Sequence, residues 1–445
     1  MKKFSLAVLF DVLIICAFSA VPLVFTVYNL PLPLAILLTI AVFIVFVIIN
    51  IAPGNYRMRS QRYRILAGGS DLLIAFLAAM CIDIVVLIWL LFTVNFDPPK
   101  FIPFIITSVI ACAAVFWNGI IRVYLTSRQL RFRLRALGII FGMWPIVNII
   151  ILVIIIRKTR NEAVFEAKHD ELETARRGQN ICETKYPILL VHGVFFRDRD
   201  VFNYWGRIPD ALKRNGAKLY YGKQQSALSV KDSAAELAVR IKEVIAETGA
   251  EKINIIAHSK GGLDSRYAIS RLDCGKYVAS LTTVNTPHRG CIFVDKVFES
   301  MSAESQKKMA DVYNAASRVR GDTAPDFLSA VGDLRKTSCD KLNEETPDYE
   351  GIYYQSVGSV TKNSRSGRFP MDISYPFVKK SDGENDGLVS IDSMKWGEKF
   401  YFIPANGRRG VTHSDVIDLN RENFDGFDVR EFFVQLVADL KNMGY

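Results

Sequence analysis

The stretch Lys252-Ile-Asn-Ile-Ile-Ala-His-Ser-Lys-Gly-Gly262 sets a serine between two different patterns. Ile253, Ile255 and Ile256 read as a buried strand, and Leu263 to Ile269 as a helix. A strand, a tight turn through a serine and then a helix is the setting of a nucleophile elbow. Such a turn strains the serine backbone and lifts the hydroxyl of Ser259 clear of the sheet edge. The positions two before and two after must be small, because the turn presses them against the neighbouring chain. They are Ala257 and Gly261; Ala stands where Gly is usual and adds one methyl. The plain alternative is an ordinary loop, since Ser-x-Gly-Gly also occurs where there is no chemistry.

A serine nucleophile needs a base, and the base needs an orienting acid. The chain has five histidines. His169 lies in a charged connector, His192 in a loop after a strand, and His258 beside the serine, pointing elsewhere. His288 follows another strand in a packing position. His413 remains, in Gly410-Val-Thr-His-Ser-Asp415, between the last strand and the last helix. In the order serine, acid, histidine, the acid falls between Ser259 and His413. Asp386, in the polar turn Asn385-Asp-Gly-Leu-Val-Ser390, is the choice, about 27 residues before His413. Asp382 and Asp392 compete, and all three also suit ordinary turn chemistry.

Composition bounds what surrounds these residues. Half of the 445 residues are hydrophobic, too many for one soluble domain. They crowd into the first third. Phe4–Tyr28, Leu32–Ala52, Leu72–Val94, Phe101–Ile121 and Gly138–Ile156 are each about long enough to cross a bilayer. About five spans are therefore expected over 1–156, with the fifth interrupted by Gly142, Pro145 and Asn148. Arg57, Arg59, Arg62 and Arg64 sit in one loop region and Arg122, Arg128, Arg131, Arg133 and Arg135 in another. The loops near Asn29 and from Asn95 to Lys100 hold almost no net charge, so the basic loops and the N-terminus belong inside. Five spans then place the remainder outside the cytoplasm. Arg157, Lys158 and Arg160 pull the other way, and a re-entrant fifth run would leave four spans. The net charge of +10 is thus explained without a nucleic-acid partner. Seven scattered cysteines form no zinc or disulfide framework.

Residues 157–185 read as a charged linker or exposed helix. From Tyr186 the composition is that of one large α/β domain, 186–445. Ile188 to Val191 is a buried strand ending in His192-Gly193, about 65 residues before Ser259. Further strands are expected at Lys218–Tyr221, Val278–Val284, Ile352–Val357 and Lys399–Ile403, in a parallel sheet with intervening helices. Ser233–Glu247 should be a helix capped by Asp232 and stopped by Gly249. Residues 292–350 are polar and helical, a lid-like insertion. Val429–Met443 closes the chain as an amphipathic helix.

These features together resemble the bacterial true lipases of the Pseudomonas–Burkholderia type, within the triacylglycerol lipase family. The residues that carry the resemblance are Pro187-Ile-Leu-Leu-Val-His-Gly193, Tyr204-Trp205, Ala257-His-Ser-Lys-Gly-Gly-Leu-Asp-Ser-Arg-Tyr267, Thr286-Pro-His-Arg-Gly290, Asn385-Asp-Gly-Leu-Val-Ser390 and His413-Ser-Asp415. They span nearly all of 186–445 and leave the membrane region outside. The resemblance implies an α/β-hydrolase fold with Ser259 as nucleophile, His413 as base and Asp386 as acid. It implies an oxyanion hole made by the backbone N–H groups of Val194 and Lys260. It also implies a structural calcium with Asp415 and Asp372 as ligands, and no cofactor for the chemistry itself.

The expected function is a membrane-anchored, multi-pass serine ester hydrolase on lipid acyl esters, with membrane lipids as a further partner, no nucleic acid and no known protein partner. A phospholipase or acyltransferase with the same triad is the first alternative. A non-catalytic membrane transport or scaffold protein is the second.

Overall fold

The computed structural model describes residues 2–54, 58–94, 96–142, 144–194, 203–405, 407, 409–424 and 426–445. Arg57, Asn55 and Asn95 of the inter-span loops lie outside them. The chain divides into two units, Met1–Ala175 and Arg176–Tyr445.

In the first unit, four helices among the described residues are long and apolar enough to cross a membrane. They are α1 (Lys2–Thr26), α2 (Leu32–Ile51), α3 (Gln61–Thr93) and α4 (Pro98–Thr126). Their inner faces pack through small residues. A Cβ on Gly69 would stand 2.7 Å from Arg122 Cβ, so α3 and α4 approach closely there. Asp83 is buried inside the bundle.

The fifth expected span is not one continuous helix among the described residues. Gly138–Ile156 is divided between α5 (Phe132–Ile140) and α6 (Pro145–Ala175), and Pro145 opens the second of these. From Pro145 to Ile156 the apolar part of α6 rises roughly 18 Å, well short of a hydrocarbon core of about 30 Å. The charged stretch is helical, one of the two forms expected of it, but it is not exposed throughout. It continues α6 to Ala175, and Glu162 and His169 are buried rather than exposed. The Glu162 carboxylate accepts hydrogen bonds from Ser127 Oγ and from the N–H groups of Arg128 and Gln129, tying α6 to the end of α4.

The second unit is built on a sheet whose described strands are β1 (Ile188–Val191), β2 (Leu219–Tyr221), β3 (Ile253–His258), β4 (Val278–Val284), β5 (Tyr353–Ser359) and β6 (Lys399–Ile403). Their order is β2-β1-β3-β4-β5-β6, and every described pairing is parallel. Every residue of β1, β3 and β4 is buried, which is why these strands read as runs rather than alternations. One face packs on α7 (Ile208–Arg214) and the C-terminal helix, where Trp205, Phe433 and Val437 are buried. The other packs on α8 (Val230–Thr248), where Leu237 and Ile241 meet Ile253 and Ile255. The cap of α8 is Ser229, whose hydroxyl accepts the N–H of Asp232 at 3.1 Å. Asp232, expected as the cap, is the third helical residue, and Gly249 ends the helix at φ 66°.

α9 (Lys260–Arg271) follows β3. Between β4 and β5 lie α10 (Ile292–Ser300), α11 (Ala303–Val319), α12 (Phe327–Gly332) and α13 (Lys336–Glu345). Between β5 and β6 lie α14 (Met371–Asp382) and α15 (Ile391–Met394), and α16 (Val429–Asn442) closes the unit. Buried Arg266 anchors the inserted helices: it donates to Asn343 Oδ1 at 2.7 Å and stacks 3.5 Å from the Trp396 ring. His288 is buried beside it, 3.0 Å from Thr283 Oγ1, in a packing role. All seven cysteines are free.

Candidate active site

β3 ends at His258 and α9 begins at Lys260, so Ser259 is the one residue between strand and helix. Its backbone has φ 55° and ψ −130°. A non-glycine residue there costs on the order of 1–3 kcal/mol, which its surroundings must supply. Ser259 N–H donates to Val284 O at 2.9 Å, and Thr286 Oγ1 donates to Ser259 O at 2.9 Å. Gly261 is obligatory: a Cβ there would stand 2.4 Å from His192 O. Ala257 is fully buried within β3.

The segments that follow β5 and β6 reach this serine at the end of β3. His413 Nε2 lies 3.0 Å from Ser259 Oγ, and His413 Nδ1 lies 2.6 Å from Asp386 Oδ2. Asp386 is completely buried. Its Oδ1 accepts the N–H groups of Leu388 at 2.9 Å and Val389 at 2.8 Å. Its Oδ2 also accepts from Asn285 Nδ2 at 2.6 Å. The His413 N–H donates to Asp386 O at 3.0 Å, so backbone and side chain both bind the two residues together. The competitors do not reach this point. Asp392 has a side chain 80% exposed and pairs with Lys395, and Asp382 ends α14 in solvent. A hydroxyl, an imidazole and a buried carboxylate in this sequence can activate the hydroxyl for attack on an acyl carbonyl.

The loop after β1 passes directly over the serine. A Cβ on Gly193 would stand 2.8 Å from Ser259 Cβ. Gly193 N–H is already donated to Tyr204 Oη at 3.1 Å, so the next N–H, that of Val194, is the candidate oxyanion donor. Val194 is buried, and residues 195–202 beyond it lie outside the description. Lys260, the second candidate, supplies the first N–H of α9, one with no carbonyl a turn earlier in the helix. Its side chain turns inward, with Nζ 2.7 Å from Asp264 Oδ1 and 2.8 Å from Ser233 Oγ, and pins α9 to α8. Burial raises the Asp264 carboxyl to about 7 although Lys260 opposes the shift.

Asp415 and Asp372 do not fit a calcium ion. Asp415 Oδ2 is 2.6 Å from Arg409 Nη2, and the guanidinium also donates to Glu422 at 2.7 Å and Ser366 O at 2.8 Å. Asp415 Oδ1 is buried without a partner, one oxygen where calcium takes six to eight. Asp372 is exposed and accepts the N–H of Ile373 at 3.0 Å. Among the described residues no group of three His, Cys, Asp or Glu side chains could hold a metal. A fixed guanidinium beside Asp415 repels a divalent cation. Chelation by EGTA should therefore leave the melting temperature of the full chain unchanged, whereas Arg409→Ala should lower it by several degrees through loss of a buried charge partner. Differential scanning fluorimetry in detergent reads both.

Three residues take part in ways the sequence did not assign to them. Asn285 holds Asp386 from 101 positions away, and Tyr204 and His258 join the oxyanion loop to His413. The only signal for Asn285 is its place at the end of a strand, where it adopts φ 46°.

Parallel sheet, elbow serine and converging histidine and carboxylate define an α/β-hydrolase. The family model described as "Putative serine esterase (DUF676)" matches residues 221–319. A triacylglycerol lipase of Vibrio cholerae serotype O1 is 37% identical over 245 residues, covering 49% of this chain and 77% of that protein. The chain belongs to the triacylglycerol lipase family. A triacylglycerol lipase of Pseudarthrobacter phenanthrenivorans is 35% identical over 176 residues, 37% of this chain. The match spans about half the length of that relative, 54%. Among solved structures, Bacillus licheniformis lipase BlEst2 in its mature form aligns at a TM-score of 0.44 and 20% identity, covering 57% of this chain and 92% of that one.

Proposed function

We propose that this protein is a membrane-anchored serine ester hydrolase acting on acyl esters of lipids. The observation that carries it is the continuous Ser259–His413–Asp386 hydrogen-bonded array on a strained elbow. Ser259 Oγ attacks the acyl carbonyl carbon while His413 Nε2 takes its proton. The tetrahedral oxyanion is held by the N–H groups of Val194 and Lys260. His413 then returns the proton to the leaving alcohol, and a water activated by the same nitrogen hydrolyses the acyl-enzyme. The names of the relatives support lipid esters as the substrate class. Fatty-acid release by the purified full chain, from triacylglycerol emulsion and from phospholipid vesicles in parallel, tests this. Release from phospholipid alone would favour the phospholipase alternative, and release from neither would remove the proposal.

We also infer four spans rather than five, and an even count reverses the orientation. With the N-terminus and both basic loops inside, an even count returns the chain to the cytoplasmic side after α4. We therefore place the hydrolase unit in the cytoplasm, not outside as five spans would have it. Cys182 is a poor reporter of this because it is fully buried. In a cysteine-free variant carrying exposed Glu251→Cys, an impermeant maleimide should label only permeabilised cells. Labelling of intact cells would restore the outside placement.

A further inference from the structure

The histidine beside the nucleophile does not face the nucleophile. His258 Nε2 lies 3.1 Å from the backbone oxygen of His413, and His258 Nδ1 lies 2.7 Å from Tyr204 Oη. Tyr204 Oη in turn accepts the N–H of Gly193 at 3.1 Å. Tyr204 and His258 are both buried. The ring of Trp205 packs edge-on against His258, and the His258 and His413 rings are 4.6 Å apart.

Chemistry fixes the direction of every bond. A carbonyl oxygen only accepts, so His258 Nε2 carries a proton and donates to His413 O. In the neutral ring Nδ1 is then an acceptor, and the Tyr204 hydroxyl donates to it. That leaves a lone pair on Tyr204 Oη for the Gly193 N–H. Burial holds the His258 imidazole well below its usual range, and neighbouring His413 adds to the effect. The ring stays neutral and the tautomer does not change. The chain therefore runs one way, from the oxyanion loop to the backbone of the base.

We propose that Tyr204 and His258 are a positioning pair that fixes the oxyanion loop and the catalytic base relative to one another. The proposal rests on the hydrolase reading above. Spending Gly193 N–H on Tyr204 turns the following peptide, so that the N–H of Val194 faces the reacting carbonyl. Anchoring His413 O holds the base at its 3.0 Å separation from Ser259 Oγ. Both side chains are buried. They act through Val194 and His413, whose placement matters because small displacements of a catalytic group cost about a hundredfold in rate.

Tyr204→Phe deletes only the shared hydroxyl. Turnover of a nitrophenyl ester should be measured per serine titrated with a fluorophosphonate, which counts only folded, competent sites. We expect kcat to fall roughly 10- to 100-fold with KM within about twofold. His258→Gln keeps a donor and an acceptor on one planar group and should retain more activity than His258→Leu. The double variant Tyr204→Phe/His258→Leu should be no slower than the worse single one, as for two parts of one device. Unchanged kcat per titrated serine in Tyr204→Phe, or full additivity in the double variant, overturns the pair. A parent protein that fails to label overturns the hydrolase reading, a separate outcome.

Discussion

Ser259→Ala is expected to abolish ester hydrolysis and fluorophosphonate labelling while leaving the fold intact. The loss in kcat should be on the order of 10⁴-fold or more, since the nucleophile and its base act as a unit. Folding should survive because the hydroxyl makes one described side-chain bond, to His413 Nε2, and the elbow is held by backbone groups. The strained φ of 55° remains with alanine, so a modest change in melting temperature in either direction is compatible with the assignment. Retained turnover at the parent rate would remove Ser259 as nucleophile. Thermal unfolding measured beside activity separates loss of chemistry from loss of structure.

Asp386→Asn should be nearly as damaging, on the order of 10⁴-fold in kcat with KM little changed. The amide keeps the shape, but one of its two ends must present N–H groups. If the NH₂ faces His413 Nδ1, it selects the tautomer in which Nε2 carries the proton and cannot accept one from Ser259. If it faces Leu388 and Val389, three donors meet with no acceptor among them. Asp382→Asn and Asp392→Asn should stay within about twofold of the parent, because exposed single charges contribute little. Equal losses at all three positions would show that the acid is elsewhere. Fluorophosphonate labelling of Asp386→Asn should slow without disappearing, which separates it from Ser259→Ala.

The elbow was legible because its requirements are local. A buried run, one serine, Gly261 and a helix signal lie within about ten residues, and each is dictated by backbone sterics. The buried strands were legible for a related reason. A parallel strand covered on both faces must be apolar throughout, so β1, β3 and β4 appear as runs whose limits agree closely with the fold. His413 was reachable by elimination, since the chain has so few histidines.

What the sequence determined by itself was therefore the set of local elements, their order, and the residue types able to do chemistry. Tertiary structure decided which of three aspartates meets His413, because that choice depends on where the turn from Asn385 to Ser390 is folded back, held by Asn285 and by the N–H groups of Leu388 and Val389. It revealed that Asp415 pairs with Arg409, since ligand spacing along a chain does not reveal a guanidinium six positions earlier. It divided the fifth apolar run between two helices, because hydropathy sums over a window and does not register that Pro145 starts a new helix within that run. It also revealed the Tyr204–His258 connection, whose members are separated by 54 positions. Short-range sterics and burial are written into neighbouring residues. The directions of buried hydrogen bonds and the pairing of charges exist only once distant segments share a desolvated space.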